Sequence, residues 1–391
     1  MTARPIDVAP AGPILLPESG LGRGWEGTAL MGLTVVLLSV GLVTLYSASS
    51  VLAMREGLPD TYFLLRQSTA AGAGLLVLIL CALMPYHWWQ RWSWPLLALS
   101  IASLLVLVLP GTEAIAPVIN GSRRWLRIGV SGQPSEFAKI AFIVWTAAMA
   151  VKKAPHFKSL RRGLAPFFVV WSLVLIPIAL QPDLSTAALI GLLGVMILFA
   201  AGVRISHFVF LGLLVVPFLQ RQLAVGFRAD RIEAFLDPSV DPAGAGFQVR
   251  QSLVALGSGG LTGVGIGEGR QKFGFLPEAH NDFIFAMIGE EWGLFGVVLL
   301  LALYVGIVLL GFRIASRAQD LFGELLALGF TNLIALQAVL HMSVGLGLVP
   351  PTGLALPLVS WGRSNLVVTL AAIGILISVA RAAPGGKAAR A

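Results

Sequence analysis

The residues best suited to chemistry gather between Gly246 and Gly296. A glycine-rich stretch bearing Arg250, Arg270 and Lys272 runs into a carboxylate, Asp282, at the mouth of a long apolar segment. Seven glycines fall within the thirteen residues from Gly257 to Gly269. Neither the Walker nor the dinucleotide spacing occurs there, so no nucleotide cradle is implied. The glycines permit positive φ and close backbone approach, which suits either a mobile loop over a site or a loop packed tightly on neighbouring helices. A cationic, flexible loop feeding a lone acid points to an anionic substrate.

Several acids compete for a catalytic role. Asp282, preceded by His280 and Asn281, has helix N-capping as its structural alternative. Glu290 and Glu291 lie inside the following apolar segment, where a carboxylate faces a cavity, a partner or a functional path. Glu136 and Lys139, three residues apart, can pair on one helix face and shape a site. Asp183 in QPDLST interrupts the chain between two apolar runs, and it or Ser185 can cap the second. Residue chemistry alone does not choose among these acids.

The elements that must position them are membrane helices. The chain is 57% hydrophobic and 12% charged, with a mean hydropathy of +0.87. Ten apolar runs, at about 27–50, 67–85, 93–110, 135–151, 163–180, 185–203, 205–220, 283–312, 322–347 and 364–382, are each long enough to be read as spanning a bilayer. The expected fold is an all-α polytopic membrane protein of about ten transmembrane helices, with a large extracytoplasmic loop at about 221–282 between the seventh and eighth. Residues 1–25 read as a retained cytoplasmic tail, 26–383 as one transmembrane domain and 384–391 as a second tail. Within the loop, Ile232, Phe235 and Leu236 share a face, the pattern of a short helix lying on the membrane surface.

Charge sets the expected orientation. The 152–162 loop carries Lys152, Lys153, Lys158, Arg161 and Arg162 without an acid, which places it and both termini in the cytoplasm. The net charge of +8 is therefore largely topological, and no basic motif or zinc spacing supports nucleic-acid binding. Cations on the outer side oppose that orientation and need another benefit. Arg123 and Arg124 are the foremost candidates to hold an anion such as a pyrophosphate, through bidentate, charge-assisted bonds. Pairing with nearby acids is the alternative. The lone cysteine, Cys81, excludes a disulfide framework.

Several motifs, in order, resemble one family. They are NGSRRWLRIGVSGQPSEFAKIAF (120–142), QPDLSTA (181–187), the Gly246–Gly296 block and GLVPPTGLALPLVSWGRS (347–364). Together they resemble the SEDS proteins of shape, elongation, division and sporulation, which include FtsW and RodA. The early YSASS (46–50) and FLDPSVDPAGAGFQVRQS (235–252) resemble the FtsW division branch.

The resemblance implies a peptidoglycan glycosyltransferase polymerising lipid II at the outer face of the bacterial cytoplasmic membrane. Asp282, in LPEAHNDFIF, matches the family's catalytic acid, the expected general base. Arg123, Arg124, Arg250 and Lys272 are the expected electrostatic contacts to substrate, with Ser360 near the same face. Glu136, Lys139, Asp183, His280 and Glu290 are expected to shape the site. A divalent cation, Mg or Mn, is compatible with a site at Asp282, although no ligand spacing demands one, and no organic cofactor is expected. The implied partners are a class B penicillin-binding protein and other membrane proteins of the division machinery. A lipid II transporter and a non-catalytic scaffold are the competing readings. The chain departs from the family pattern at Asn281, where Thr is common, at Ser185, where Gly is usual, and in SWGRSN (360–365), where SYGGSS is usual.

Overall fold

The structure is a computed structural model that describes residues 25–119, 121–128, 130–223, 226–236 and 244–383. In chain order the helices are α1 (Trp25–Arg55), α2 (Tyr62–Leu83), α3 (His87–Arg91), α4 (Ser93–Val108), α5 (Pro134–Lys153), α6 (Ala165–Leu180), α7 (Leu184–Ala200), α8 (Ile205–Leu223), α9 (Gly226–Leu236), α10 (Ala245–Ser258), α11 (Ile284–Ser316), α12 (Leu321–Gly345) and α13 (Arg363–Ala382). One antiparallel hairpin, β1 (Leu126–Ile128) with β2 (Val130–Gly132), precedes α5.

Apolar runs become helices here because a backbone in lipid must satisfy its own hydrogen bonds. Each run read from the sequence lies on a helix. Seven helices among the described residues are long and apolar enough to cross a membrane, and α4 and α7 are apolar but shorter. The chain is a multi-pass membrane protein. Leu76, Leu80, Phe295 and Val298 are exposed on α2 and α11, as a lipid-facing surface requires. Helices α5, α12 and α13 are buried for most of their length and form the centre of the bundle.

Local signals set the helix starts. Pro134 opens α5, where its missing N–H costs nothing. Asp183 accepts a bond from the Thr186 N–H at 3.2 Å and so caps α7. Asp320 does the same for α12 through the Gly323 N–H at 2.7 Å. The long α11 is broken at Gly293, whose φ of 65° and ψ of −161° lie outside the helical range.

Two ends of the bundle result. One gathers the α1–α2 turn, the hairpin, the α6–α7 turn, the start of α11 and the 346–362 loop before α13. The other gathers the α2–α4 corner, the α5–α6 loop and the α11–α12 turn, tied by His87 to Asp320 at 2.7 Å and by Glu26 to Arg313 at 2.9 Å.

The 221–282 segment, read as a loop, contains more structure than its polarity suggests. It holds α9 and α10, and α10 is packed into the bundle, with its Ser252 hydroxyl donating to the Gly345 carbonyl at 2.7 Å. The expected surface helix is present as α9, with Ile232 and Phe235 half-buried and Leu236 exposed. The expected tails, apart from Trp25, fall outside the described residues.

Candidate active site

Asp282 stands in a tight turn at the entry to α11. Its own N–H and that of Asn281 both donate to the Glu278 carbonyl at 3.0 Å, around a positive φ of 53° at Glu278. The side chain does not cap the helix: α11 has no side-chain cap. The Asp282 carboxylate accepts no hydrogen bond among the described residues, and its Oδ1 is fully buried. A buried carboxylate oxygen without a partner is rare where the role is structural, because its desolvation goes uncompensated.

The loop before α13 clamps this turn. The Ser360 hydroxyl donates to the Asn281 carbonyl at 2.8 Å and accepts from the Leu356 N–H at 2.9 Å. The Trp361 N–H donates to the His280 carbonyl at 3.0 Å. From α2, the buried Gln67 amide donates to the Ser360 carbonyl at 3.0 Å and its oxygen accepts from Gly362 at 3.4 Å. Phe63 packs against both the His280 and Trp361 rings, with centroids at 5.0 and 5.1 Å.

These elements enclose a polar cavity of about 430 Å³, whose walls include Arg124, Glu136, Asp183, Glu278, His280 and Arg363. Asp282 lies immediately behind the wall. A Cβ added to Gly353, itself a wall residue, would stand 4.0 Å from Asp282 Oδ2, so the bare glycine thins the barrier there.

The charges of the cavity are unequally engaged. Burial, with a smaller push from Glu278, raises the Asp282 carboxyl to about 6, against a weaker opposing pull from Arg231 and Arg124. Burial, helped by Glu56, also raises Glu278. Burial lowers His280 to about 4, so its ring is neutral at pH 7. Glu136 is neutralised: Lys139 donates to one oxygen at 2.7 Å and Asn365 to the other at 3.0 Å. Arg124 donates to the carbonyls of Gln181, at 3.1 Å, and Pro182, at 2.6 Å, while lining the cavity.

The sequence candidates therefore divide. Arg124, Glu136, Asp183 and His280 meet at one cavity, with Lys139 behind Glu136. Arg123 turns away to Glu113 at 2.5 Å. Arg250 is exposed on α10 and is not in the wall. Ser360 is spent on the clamp, so its place is structural rather than facing a ligand.

Lys272 and Glu290 belong to a second cluster. Lys272, buried, donates to Glu291 at 3.3 Å, to Ser47 at 3.2 Å and to the Gly267 carbonyl. The Ser47 hydroxyl also donates to Glu291 at 2.5 Å. Glu290 accepts from the N–H groups of Arg270 at 2.8 Å and Gln271 at 3.3 Å. The expected substrate contact at Lys272 is thus replaced by a buried ion pair.

The glycine-rich loop is packed, not open. Val264 and Gly265 donate to the carbonyls of Glu290 and Glu291 at 3.0 and 3.1 Å, beside the break in α11. At Gly263, φ is +80° and an added Cβ would stand 2.1 Å from the Glu291 carbonyl oxygen. Only glycine can bring the chain that close.

Among the described residues no three His, Cys, Asp or Glu side chains come together as a metal site. The residues present do not make one on their own. Sequence reasoning missed Gln67 and took Arg363 only as a departure from pattern. Gln67 carried a signal, a polar side chain in a run destined for lipid.

Three comparisons bear on this geometry. The profile of the cell cycle protein family FtsW, RodA and SpoVE matches residues 28–384. A probable peptidoglycan glycosyltransferase FtsW of Trichlorobacter lovleyi is 41% identical over 352 residues, 90% of this chain and 92% of the relative. Stage V sporulation protein E of Bacillus subtilis is 41% identical over 355 residues, 90% and 96% of the two chains. Among solved structures, a chain from work on structural coordination of polymerization and crosslinking by a peptidoglycan synthase complex superposes with a TM-score of 0.75 at 29% identity, covering 92% of this chain and 97% of that one. The rod shape determining protein RodA of Thermus thermophilus gives 0.66 at 30% identity, covering 90% and 95%.

Proposed function

This chain belongs to the FtsW, RodA and SpoVE family of cell cycle proteins, and we propose that it is a peptidoglycan glycosyltransferase that polymerises lipid II, with Asp282 as its general base. The observation that carries the assignment is the Asp282 carboxylate: without a partner among the described residues, raised to about 6 and set behind a polar cavity with Arg124 in its wall. Such a carboxylate is ionised at pH 7 yet basic enough to accept a proton.

The reaction asks little of the protein beyond that base. The acceptor GlcNAc 4-hydroxyl gives its proton to Asp282 as its oxygen attacks C1 of the donor MurNAc. The bond from C1 to the diphosphate oxygen breaks, the α-linkage inverts to β-1,4, and the electron pair leaves with undecaprenyl diphosphate. Arg124 offsets the charge that develops on the leaving group. The Ser360 and Trp361 bonds hold the Asp282 turn at fixed height, and Lys139 and Asn365 hold Glu136 as a neutralised part of the wall.

The setting we propose is the bacterial cytoplasmic membrane during septal wall synthesis in cell division. Both termini lie in the cytoplasm and the cavity faces outward. The basic α5–α6 loop at the end opposite the cavity supports this orientation. The likeness to a chain studied in a peptidoglycan synthase complex supports a class B penicillin-binding protein as partner, with other division proteins around it. A divalent cation enters the proposal only as an ion shared with the substrate's phosphates, since the described residues build no cage for one.

The test is polymerisation of fluorescent lipid II by the purified protein with its transpeptidase partner, comparing wild type with Asp282→Asn. Glycan ladders from the wild type alone, at equal folding, are expected. Ladders of equal yield from both would remove Asp282 from the mechanism.

A further inference from the structure

The polar cavity does not end at its own walls. A second, largely apolar groove of about 630 Å³ lies beside it, lined by Ala70, Leu99, Phe137 and Val367 among others. Leu99 is 61% exposed, so the groove reaches the lipid-facing side of the bundle. Ser131, Gln133, Glu136, Arg363 and Ser364 line both spaces. Arg363 is the single cation among these shared residues.

Three of the other shared groups, Glu136, Ser364 and Gln133, are already engaged. Glu136 is neutralised by Lys139 and Asn365, Ser364 accepts from the Gln133 N–H at 3.1 Å, and the Gln133 amide donates to Ser135 at 3.1 Å. The Arg363 guanidinium, half-buried, makes no hydrogen bond or ion pair among the described residues. Asp183 and Glu278, the remaining acids of the polar wall, form no ion pair with it. Arg363 is also the first residue of α13, whose start carries no side-chain cap, so free N–H groups and the helix dipole add positive potential at the same point.

We propose that Arg363 grips the diphosphate of an isoprenoid-diphosphate-linked sugar where the apolar groove meets the polar cavity. The inference rests on the glycosyltransferase reading for the identity of the sugar but not for the anion. An amphiphile with an apolar chain, a diphosphate and a polar head presents three chemistries in a row. The groove, Arg363 and the cavity present the complementary three in the same order. A guanidinium supplies the bidentate donors that a diphosphate accepts and a glycine cannot. In SWGRSN, the arginine stands where the family pattern has glycine, so this chain holds its lipid-linked substrate by a contact its relatives' pattern lacks.

The experiment is equilibrium binding of labelled undecaprenyl diphosphate to the purified full-length protein in detergent, with undecaprenol and phosphatidylglycerol as comparison lipids. Wild type, Arg363→Gln and Arg363→Lys are compared after thermal melting establishes that each is folded. Arg363→Gln is expected to weaken diphosphate binding by about tenfold or more and to leave undecaprenol unchanged, with Arg363→Lys between. Wild-type binding is expected to weaken with salt.

Equal diphosphate affinity in folded wild type and Arg363→Gln overturns the proposal. So does phosphatidylglycerol competing as well as the diphosphate, which would make the site a phospholipid headgroup site. Should Arg363→Gln fail to fold, Arg363→Lys decides: wild-type affinity and bidentate-independent salt response in that variant overturn the proposal too. The two readings fail separately. Arg363-dependent binding without any glycan from lipid II sinks the glycosyltransferase and leaves this site. Glycan formation with an unchanged KM for lipid II in Arg363→Gln does the reverse.

Discussion

Asp282 and the Glu290–Glu291 pair stand at the same end of α11, yet their surroundings are opposite. Glu290 and Glu291 are almost wholly buried, and their oxygens are taken up by Arg270, Gln271, Gly267, Ser47 and Lys272. Asp282 keeps some accessible surface, and its carboxylate has no partner among the described residues. Depth alone therefore does not mark the working acid. The deeper carboxylates hold a broken helix to its loop, and the shallower one is left free for the role proposed for it.

The sharpest way to break this comparison is to neutralise Asp282. Asp282→Asn is expected to cut lipid II polymerisation by at least about a hundredfold while leaving the protein more stable. The carboxyl rises from 3.8 to about 6, which amounts to roughly 3 kcal/mol at neutral pH. That figure is an upper one because the side chain retains some solvent contact. Glycan ladders and melting midpoints, read on the same preparations, should move in opposite directions. A variant that loses activity and melts earlier would make Asp282 structural.

Glu291→Ala should do the converse. It strands the buried Lys272 ammonium and removes an acceptor from the Gly267 N–H, costing about 3–5 kcal/mol. The melting midpoint should drop sharply, and activity per folded molecule should hold. Full stability in Glu291→Ala would show that the loop does not depend on the cluster.

The difference between these acids was only partly legible in the sequence. Apolar runs marked the helices because span length and lipid leave the backbone few other choices. Glu136 and Lys139, three apart, declared a same-face pair that the structure holds at 2.7 Å. For Glu290 the sequence showed that something must meet it, but not that it would be backbone from a loop some twenty residues earlier. Such a partner carries no residue-type signature, since any residue but proline offers the same N–H. The N-cap position of α11 falls on Phe283 rather than Asp282, a shift of one residue that composition does not reveal.

Acidity offers a finer test. The folded-state carboxyl of Asp282 lies above its ordinary value, so its contribution to stability is present below about pH 4 and is lost as pH rises through about 6. The base, by contrast, is lost as pH falls. Polymerisation should decline about tenfold per unit below roughly pH 6, while the melting midpoint of wild type relative to Asp282→Asn rises over the same window. A pH–rate profile flat down to about pH 4 would place the working base elsewhere.

The smallest effect separates two neighbours. Arg123 and Arg124 are adjacent in sequence and equal in chemistry, but Arg123 reaches the exposed Glu113 and Arg124 lines the cavity. With 28% and 56% of the two side chains exposed, the Arg123–Glu113 pair is screened by solvent and contributes little. Arg123→Ala should therefore change kcat/KM by no more than about fivefold. Arg124→Ala removes a charge from the wall where the leaving group is proposed to sit and should cost about tenfold or more in the same measurement. Equal losses in the two variants would mean that the hairpin region acts as one electrostatic surface, and that direction toward the cavity does not decide which arginine works.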